Sequence, residues 1–186
     1  MVTATLRPIY VREVVLDDLK HNATVHRVVN DAYRSEGGWT TEKDMVKGDR
    51  ASVEDIENAV RCNGKPNFLM YAFERSDHGE ELVVGTIQIQ PCNGGTEAEI
   101  GLFSVSPAHQ SRGIGGKLLS AALQKMEQLG YENAVIQVLE NRQDILAWYQ
   151  KMGFVKTGER MPFVWPEKLK IQGLHFLILK KPMITV

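Results

Sequence analysis

The residues best suited to chemistry in this 186-residue chain lie in one stretch, Ala98 to Leu119. Its first half, Ala98-Glu99-Ile100-Gly101-Leu102-Phe103-Ser104-Val105, reads as a strand. Ile114-Gly115-Gly116-Lys117-Leu118-Leu119 then opens an amphipathic helix, and Ser106-Pro107-Ala108-His109-Gln110-Ser111-Arg112-Gly113 joins the two. Glycine at 113, 115 and 116 lets a ligand come close to the main chain. The first N–H groups of a helix lack internal partners and carry partial positive charge. Together they form a cradle for phosphate or pyrophosphate, with Arg112 and Lys117 adding charge at its rim. Spacing argues against two common nucleotide loops. A Walker loop ending at Gly116-Lys117 needs glycine where Ser111 stands and a hydroxyl where Leu118 stands. A dinucleotide fingerprint begun at Gly113 and Gly115 needs glycine, again at Leu118.

Glu97 and Glu99 stand two apart on the same strand, so they share a face at roughly 6.5–7 Å. Like charge and partial burial raise the pKa of one such carboxyl, which suits a general base. The alternative is a pair of solvated carboxylates on an exposed sheet face. His21 and His26 are five apart, off the helical ladder for metal ligands, and no HExxH occurs, so no metal site is expected. The two cysteines, Cys62 and Cys92, build no disulfide framework and show no CxxC spacing, although one bridge between them stays open.

These groups need a scaffold. Ile9–Val15 is β-prone, Asp17-Asp18 offers a helix start, and Val25, Val28, Val29, Ala32 and Tyr33 recur at helical spacing before Gly37-Gly38. Thr41 with Asp44, and Ser52 with Asp55, resemble capping boxes and predict two short helices. The second carries Val53, Ile56, Ala59 and Val60. Phe68–Phe73, Leu82–Ile89 and Ala98–Val105 predict an antiparallel meander. Ile114–Leu129 follows as a helix, Ala134–Leu139 as a strand and Asp144–Met152 as a helix stopped by Gly153, with Phe154–Thr157 and Leu174–Leu179 as closing strands. The predicted order is β-α-α-α-β-β-β-α-β-α-β-β. Its strand–helix–strand unit between residues 98 and 139 implies a right-handed crossover and a parallel pair, hence a mixed sheet and an α/β fold. No repeat or linker divides the chain, which is expected to form one domain over residues 1–186.

Gln110-Ser111-Arg112-Gly113-Ile114-Gly115 resembles the acyl-CoA loop of the GNAT superfamily of N-acetyltransferases, Gln/Arg-x-x-Gly-x-Gly/Ala at the end of the fourth strand. Asn141 followed by Tyr149-Gln150-Lys151-Met152-Gly153-Phe154 is similar to the family's second signature. The resemblance covers nearly the whole chain and implies a central mixed sheet flanked by about four helices. It implies acetyl-CoA as cosubstrate and direct transfer of acetyl to a primary amine within a ternary complex. The cofactor would be held by Gln110, Ser111, Arg112, Gly113, Ile114, Gly115 and Gly116, by the strand end Phe103, Ser104 and Val105, and by Asn141. Main-chain N–H groups at Phe103 and Val105 would face the thioester carbonyl, where one donor is worth about 2.7–4 kcal/mol in a transition state. A lysine-like amine is free base in only roughly one molecule in a few thousand at neutral pH, so a base contributes about 4–5 kcal/mol. The resemblance assigns that role to Glu99, through a water, with Glu97 as the second candidate. Tyr149 would protonate the departing thiolate, although it also sits on an apolar helical stripe with Ile145, Leu146, Trp148 and Met152. Tyr33 to Arg50 would wall the acceptor pocket, with Phe163 and Trp165 opposite. Trp39 would pack on the acceptor and Glu42 or Asp44 attract its ammonium; equally, Trp39 fills core and the acids cap helices. A binding-competent sensor without turnover is the rival from another class.

Composition sets the wider frame. The 22 Lys and Arg nearly cancel 23 Asp and Glu, leaving net charge −1, so no global footprint for nucleic acid exists. Hydrophobic residues at 43% and charged residues at 24% suit a globular chain. No run approaches about 18–20 apolar residues, and Met1 to Pro8 lacks a signal-peptide core, so a cytoplasmic protein without membrane or nucleic-acid partners is expected. A homodimer is left open, since no seam for one stands out.

Overall fold

The computed structural model describes residues 7–183, so the reading of the stretch before Arg7 lies outside it. Seven strands form one sheet in the order β1-β2-β3-β4-β5-β7-β6. They are β1 Ile9–Glu13, β2 Phe68–Arg75, β3 Glu81–Cys92, β4 Glu97–Val105, β5 Asn133–Leu139, β6 Val155–Pro162 and β7 His175–Pro182. The first four make an antiparallel meander, β4 and β5 run parallel, and β7 lies antiparallel between β5 and β6. The α-helices are α1 Asn22–Arg34, α2 Val53–Arg61, α3 Ile114–Gln128 and α4 Gln143–Lys151. No helix of the described residues is long and apolar enough to cross a membrane.

The sheet is covered on both faces, which is why β2 reads as an unbroken apolar run. Met70 and Ala72 join Leu118, Leu119, Ala122 and Met126 of α3 on one side. Leu69, Tyr71 and Phe73 join Val25 and Val29 of α1 and Ile56 and Val60 of α2 on the other. Helix α3 sits so close to the meander that a Cβ on Gly85 would lie 2.8 Å from the Leu118 side chain and 2.8 Å from the Ser104 carbonyl oxygen.

One expected helix is absent. The capping box at Ser52 and Asp55 forms in full, with the Asp55 N–H donating to Ser52 Oγ at 3.0 Å and the Ser52 N–H donating to Asp55 Oδ2 at 2.8 Å. Thr41 does not cap a helix. Its hydroxyl oxygen takes the Lys43 N–H at 3.3 Å, while Val46 bridges to Leu169 and buries Met45 and Val46 against Leu139, Leu169 and Leu174. Tertiary pairing overrides the local cap signal there. The two cysteines are both free.

Strand β4 carries a bulge. Thr86 pairs with Ser104, but Gln88 pairs with Gly101, leaving both Leu102 and Phe103 opposite Ile87. Leu102 adopts a positive φ of 43° and its carbonyl accepts the Thr86 hydroxyl at 2.6 Å. An inserted residue exchanges the faces of everything beyond it. Ala98 and Ile100 point to the α3 side, Leu102 to the α1 and α2 side, and Phe103 and Val105 return to the α3 side.

At the start of β4 a three-strand staple forms. Glu97 accepts hydrogen bonds from Asn133 of β5 at 2.8 Å, from Lys180 of β7 at 2.8 and 3.0 Å, and from Asn93. The Lys180 hydrogen bond, with those from Asn93 and Asn133, holds the Glu97 carboxyl below its ordinary value against the opposing pull of burial.

Gly85→Ala should cost about 1–3 kcal/mol in chemical denaturation, because a backbone oxygen cannot step aside for the new methyl. Lys180→Met should cost about 1–3 kcal/mol near neutral pH by leaving Glu97 short of its cation. Stability from a lowered carboxyl is complete above its ordinary pKa and is lost as pH falls through the lowered folded value. Acidification from neutral pH to about 3 should therefore cost the wild type more than Lys180→Met, as read from urea midpoints.

Candidate active site

The parallel pairing of β4 and β5 comprises only Glu97 with Asn133, Ala98 with Ala134 and Glu99 with Val135. Past Glu99 the strands part, while β5 stays paired with β7 along its length. The gap opens a cleft of about 1430 Å³, lined by Glu99 to Val105, Ile136 to Leu139, the glycine turn, α4 and the loop after α1. Polar main-chain groups released from a ladder must find other partners. The Phe103 carbonyl takes the Tyr33 hydroxyl at 2.9 Å, and the Val105 carbonyl takes Gln110 Nε2 at 3.3 Å. The Ser106 N–H instead reaches back to the Val84 carbonyl on β3 at 2.8 Å. In an extended strand a residue turns its N–H and C=O to the same side, so Phe103 and Val105 also direct their N–H groups into the gap.

Glu99 lies half-buried in the cleft, and burial raises its carboxyl above the ordinary value. The amide of Gln137 on β5, donating to Glu99 Oε2 at 3.1 Å, and the Arg50 charge oppose that rise. Its neighbour Glu97 shares the face but differs in state, being ion-paired to Lys180 with its carboxyl held low. The two pKa values are thus parted by a cation against one carboxylate, which was not expected, and by burial of the other, which was. Tyr149 is 7% exposed, lines the cleft and packs by its ring on Phe103, Trp148 and Phe154. Burial, with the nearby Tyr33, raises its phenol well above the ordinary value, so it keeps its proton at neutral pH.

At the other end of the cleft, Gly113 precedes α3 with φ of 76°, a left-handed conformation that favours glycine. The first intrahelical bond runs from the Lys117 N–H to the Gly113 carbonyl at 3.1 Å, so the N–H groups of Ile114, Gly115 and Gly116 lack partners within the helix. A Cβ on Gly113 or Gly116 would meet nothing within 4 Å, leaving room for a group the size of a phosphate. Ser111, Gly113, Ile114, Gly115 and Gly116 all line the cleft.

Several expected residues are engaged elsewhere. Arg112 donates to Glu74 on β2 at 2.8 Å and is not among the cleft residues. His109 lies 3.5 Å from the same carboxylate. Asn141 is exposed, donates to the Met45 sulfur at 3.0 Å and does not line the cleft. Gln110 lines it but is bound on both sides, accepting the Trp39 N–H at 2.9 Å while donating to Val105. The Ser104 hydroxyl, also lining it, is bonded to the Thr86 hydroxyl at 2.6 Å. Of the acceptor-wall candidates, Trp39, Glu42, Phe163 and Trp165 line the cleft. Asp44 is exposed and lies outside it, and Glu42 is paired with Arg34 at 3.2 Å.

Some residues went unassigned in the sequence. Arg142 donates to the carbonyls of Trp39 at 2.6 Å and Thr41 at 2.8 Å, fastening the loop after α1 to the start of α4. Gln137 meets Glu99 only because β4 and β5 pair in register to that level. No local pattern marks either residue.

The Acetyltransferase (GNAT) family model matches residues 28–154. The chain is 32% identical to human N-acetyltransferase 8B over 102 residues, covering 53% of this chain and 45% of that protein. It spans about half the length of such curated relatives. Among solved structures, yncA from Salmonella typhimurium, solved with its cofactor acetyl-CoA, has a TM-score of 0.70 at 18% identity, covering 96% of each chain. The PaiA N-acetyltransferase from Thermoplasma acidophilum, in complex with coenzyme A, has a TM-score of 0.64 at 20% identity, covering 94% of this chain and 99% of that one. A family match that begins within α1 and ends just past α4 takes in the parted strands, the glycine turn and Tyr149 together, and on that basis the chain belongs to the GNAT family of acetyltransferases.

Proposed function

We propose that this chain transfers acetyl from acetyl-CoA to a primary amine by direct attack, as one domain working in the cytoplasm. The observation that carries this reading is the parting of β4 and β5 just beyond Glu99, which brings a candidate base, free strand amides and the glycine turn into one cleft. The partnerless N–H groups at 114–116 suit the pyrophosphate of coenzyme A, and the acetyl-CoA bound to the similarly folded yncA supports that fit. The Arg112 side chain fixes the turn to β2 through Glu74, and the Asn141 amide meets the Met45 sulfur.

The chain's own groups account for each step. The N–H groups of Phe103 and Val105 face the gap and stabilise the oxygen that gains charge as the amine attacks. Glu99, reached through a water, accepts the proton that the ammonium must lose. The buried Tyr149 hydroxyl, still protonated, gives its proton to the thiolate as the C–S bond breaks, and the second proton that the nitrogen sheds as the amide forms replaces it. Glu97 is unsuited to the base role, because Lys180 stabilises its charged form.

Glu99→Gln should lower kcat/KM by about a hundredfold or more and Tyr149→Phe by about tenfold or more. Acetyl-CoA affinity, followed by calorimetry, should change by less than about threefold in both, an energy well under 1 kcal/mol. Glu99 acts only when ionised, so wild-type kcat/KM should rise with pH through an apparent pKa above the ordinary carboxylate range, and Glu99→Gln should abolish that limb. Full activity in both variants sinks the role assignments. Acetyl-CoA binding without turnover across an amine panel returns the chain to the sensor reading.

A further inference from the structure

The acceptor end of the cleft contains an unbalanced set of charges. Arg34 is paired with Glu42 at 3.2 Å, and Arg142 is spent on Asp144 and two carbonyls. Asp55 caps α2 by taking the Ser52 N–H, and Asp49 sits 3.7 Å from His26 Nε2. Arg50 is left without an ion pair, although its charge also bears on Glu42, Asp55 and Tyr33, and Glu99 has no cation paired with it. Among the described residues no carboxylate lies within 4.0 Å of the Arg50 guanidinium, and Glu99 is met only by the neutral amide of Gln137. Lys65 and Lys168 add further positive charge to the same wall.

Arg50 is also well placed. Its guanidinium carbon stands 5.3 Å from the centre of the Tyr33 ring, and the Tyr33 hydroxyl is bonded to Phe103 on the parted strand. The side chain of Asn30 on α1 anchors its backbone, accepting the Arg50 N–H at 2.6 Å and donating to the Ala51 carbonyl at 2.9 Å. Arg50 and Glu99 line the same cleft, and the Arg50 charge favours the ionised form of Glu99, though less than the Gln137 amide does. A cation held near the base repels a plain ammonium, whereas a planar guanidinium matches a carboxylate in a two-bond fork.

We infer that the acceptor is an amine bearing its own carboxylate, an amino acid or close relative, with that carboxylate held by Arg50 and its amino group presented toward Glu99. The inference rests on the acetyl-transfer reading above and adds the class of acceptor. In an amino acid the two charged groups are one carbon apart, which suits a cation and a carboxylate that line the same cleft. A site built to pair a carboxylate discriminates against the analogue that lacks it.

The test compares free amino acids with their own carboxamides, for example leucine with leucinamide, by thiol release and mass detection of the N-acetyl product. The amide nitrogen source loses its proton more readily, so the comparison is biased against the inference. In the wild type, kcat/KM for the favoured acid should exceed that of its amide by at least about tenfold, the scale of one charge-assisted hydrogen bond. Arg50→Gln should collapse the acid-to-amide ratio at least about tenfold, mainly through KM for the acid, and Arg50→Lys should restore part of it. Equal rates for acids and amides in the wild type overturn the inference, as does an equal loss for both in Arg50→Gln. Acetyl-CoA binding without turnover of any acid also overturns it, while leaving the donor site in place. If acetyl-CoA is neither bound nor consumed, the acetyl-transfer reading itself fails and this inference falls with it.

Discussion

Two parallel strands that pair over three residues and then part impose most of what is distinctive in this molecule. Parting exposes main-chain groups that a ladder would have consumed, and it does so beside a side chain able to take a proton. An open ladder is costly unless its groups find partners. Tyr33 and Gln110 supply them for the Phe103 and Val105 carbonyls. The closed end has to be strong for the same reason, and Glu97, Asn133 and Lys180 tie three strands together there.

The bulge at Leu102 and Phe103 works with that opening. Without an extra residue, strict alternation would send Phe103 to the face that carries α1 and α2. With it, Leu102 enters the core beneath those helices while Phe103 turns to Trp148 and Tyr149. The aromatic wall of the cleft and the amides of the strand are thus set by one local irregularity, at the expense of a left-handed leucine.

Electrostatic state follows the same division of space. Two glutamates on one strand face differ because Lys180 lies under the first and only an amide meets the second. Glu97 becomes a structural anion and Glu99 a carboxyl raised by burial. Arg112 and Glu74 give a parallel case, in which a cation beside the glycine turn is tied to the sheet and leaves the backbone amides facing the cleft.

Much of this was legible in the linear order of residues. Glycines at 113, 115 and 116 before an amphipathic stripe mark a helix start with free amides and open space beside it, because helix-end amides and a missing Cβ are local properties. The meander, the crossover to a parallel strand, the cap at Ser52 and the shared face of Glu97 and Glu99 follow from periodicities of two and 3.6 and from capping spacings alone. Tertiary structure alone decided the absent helix near Thr41, the bulge, the diversion of Arg112 and Asn141, and the meetings of Glu99 with Gln137 and Glu97 with Lys180. Those depend on which strands become neighbours and in what register, and contacts spanning 38 and 83 positions leave no local trace.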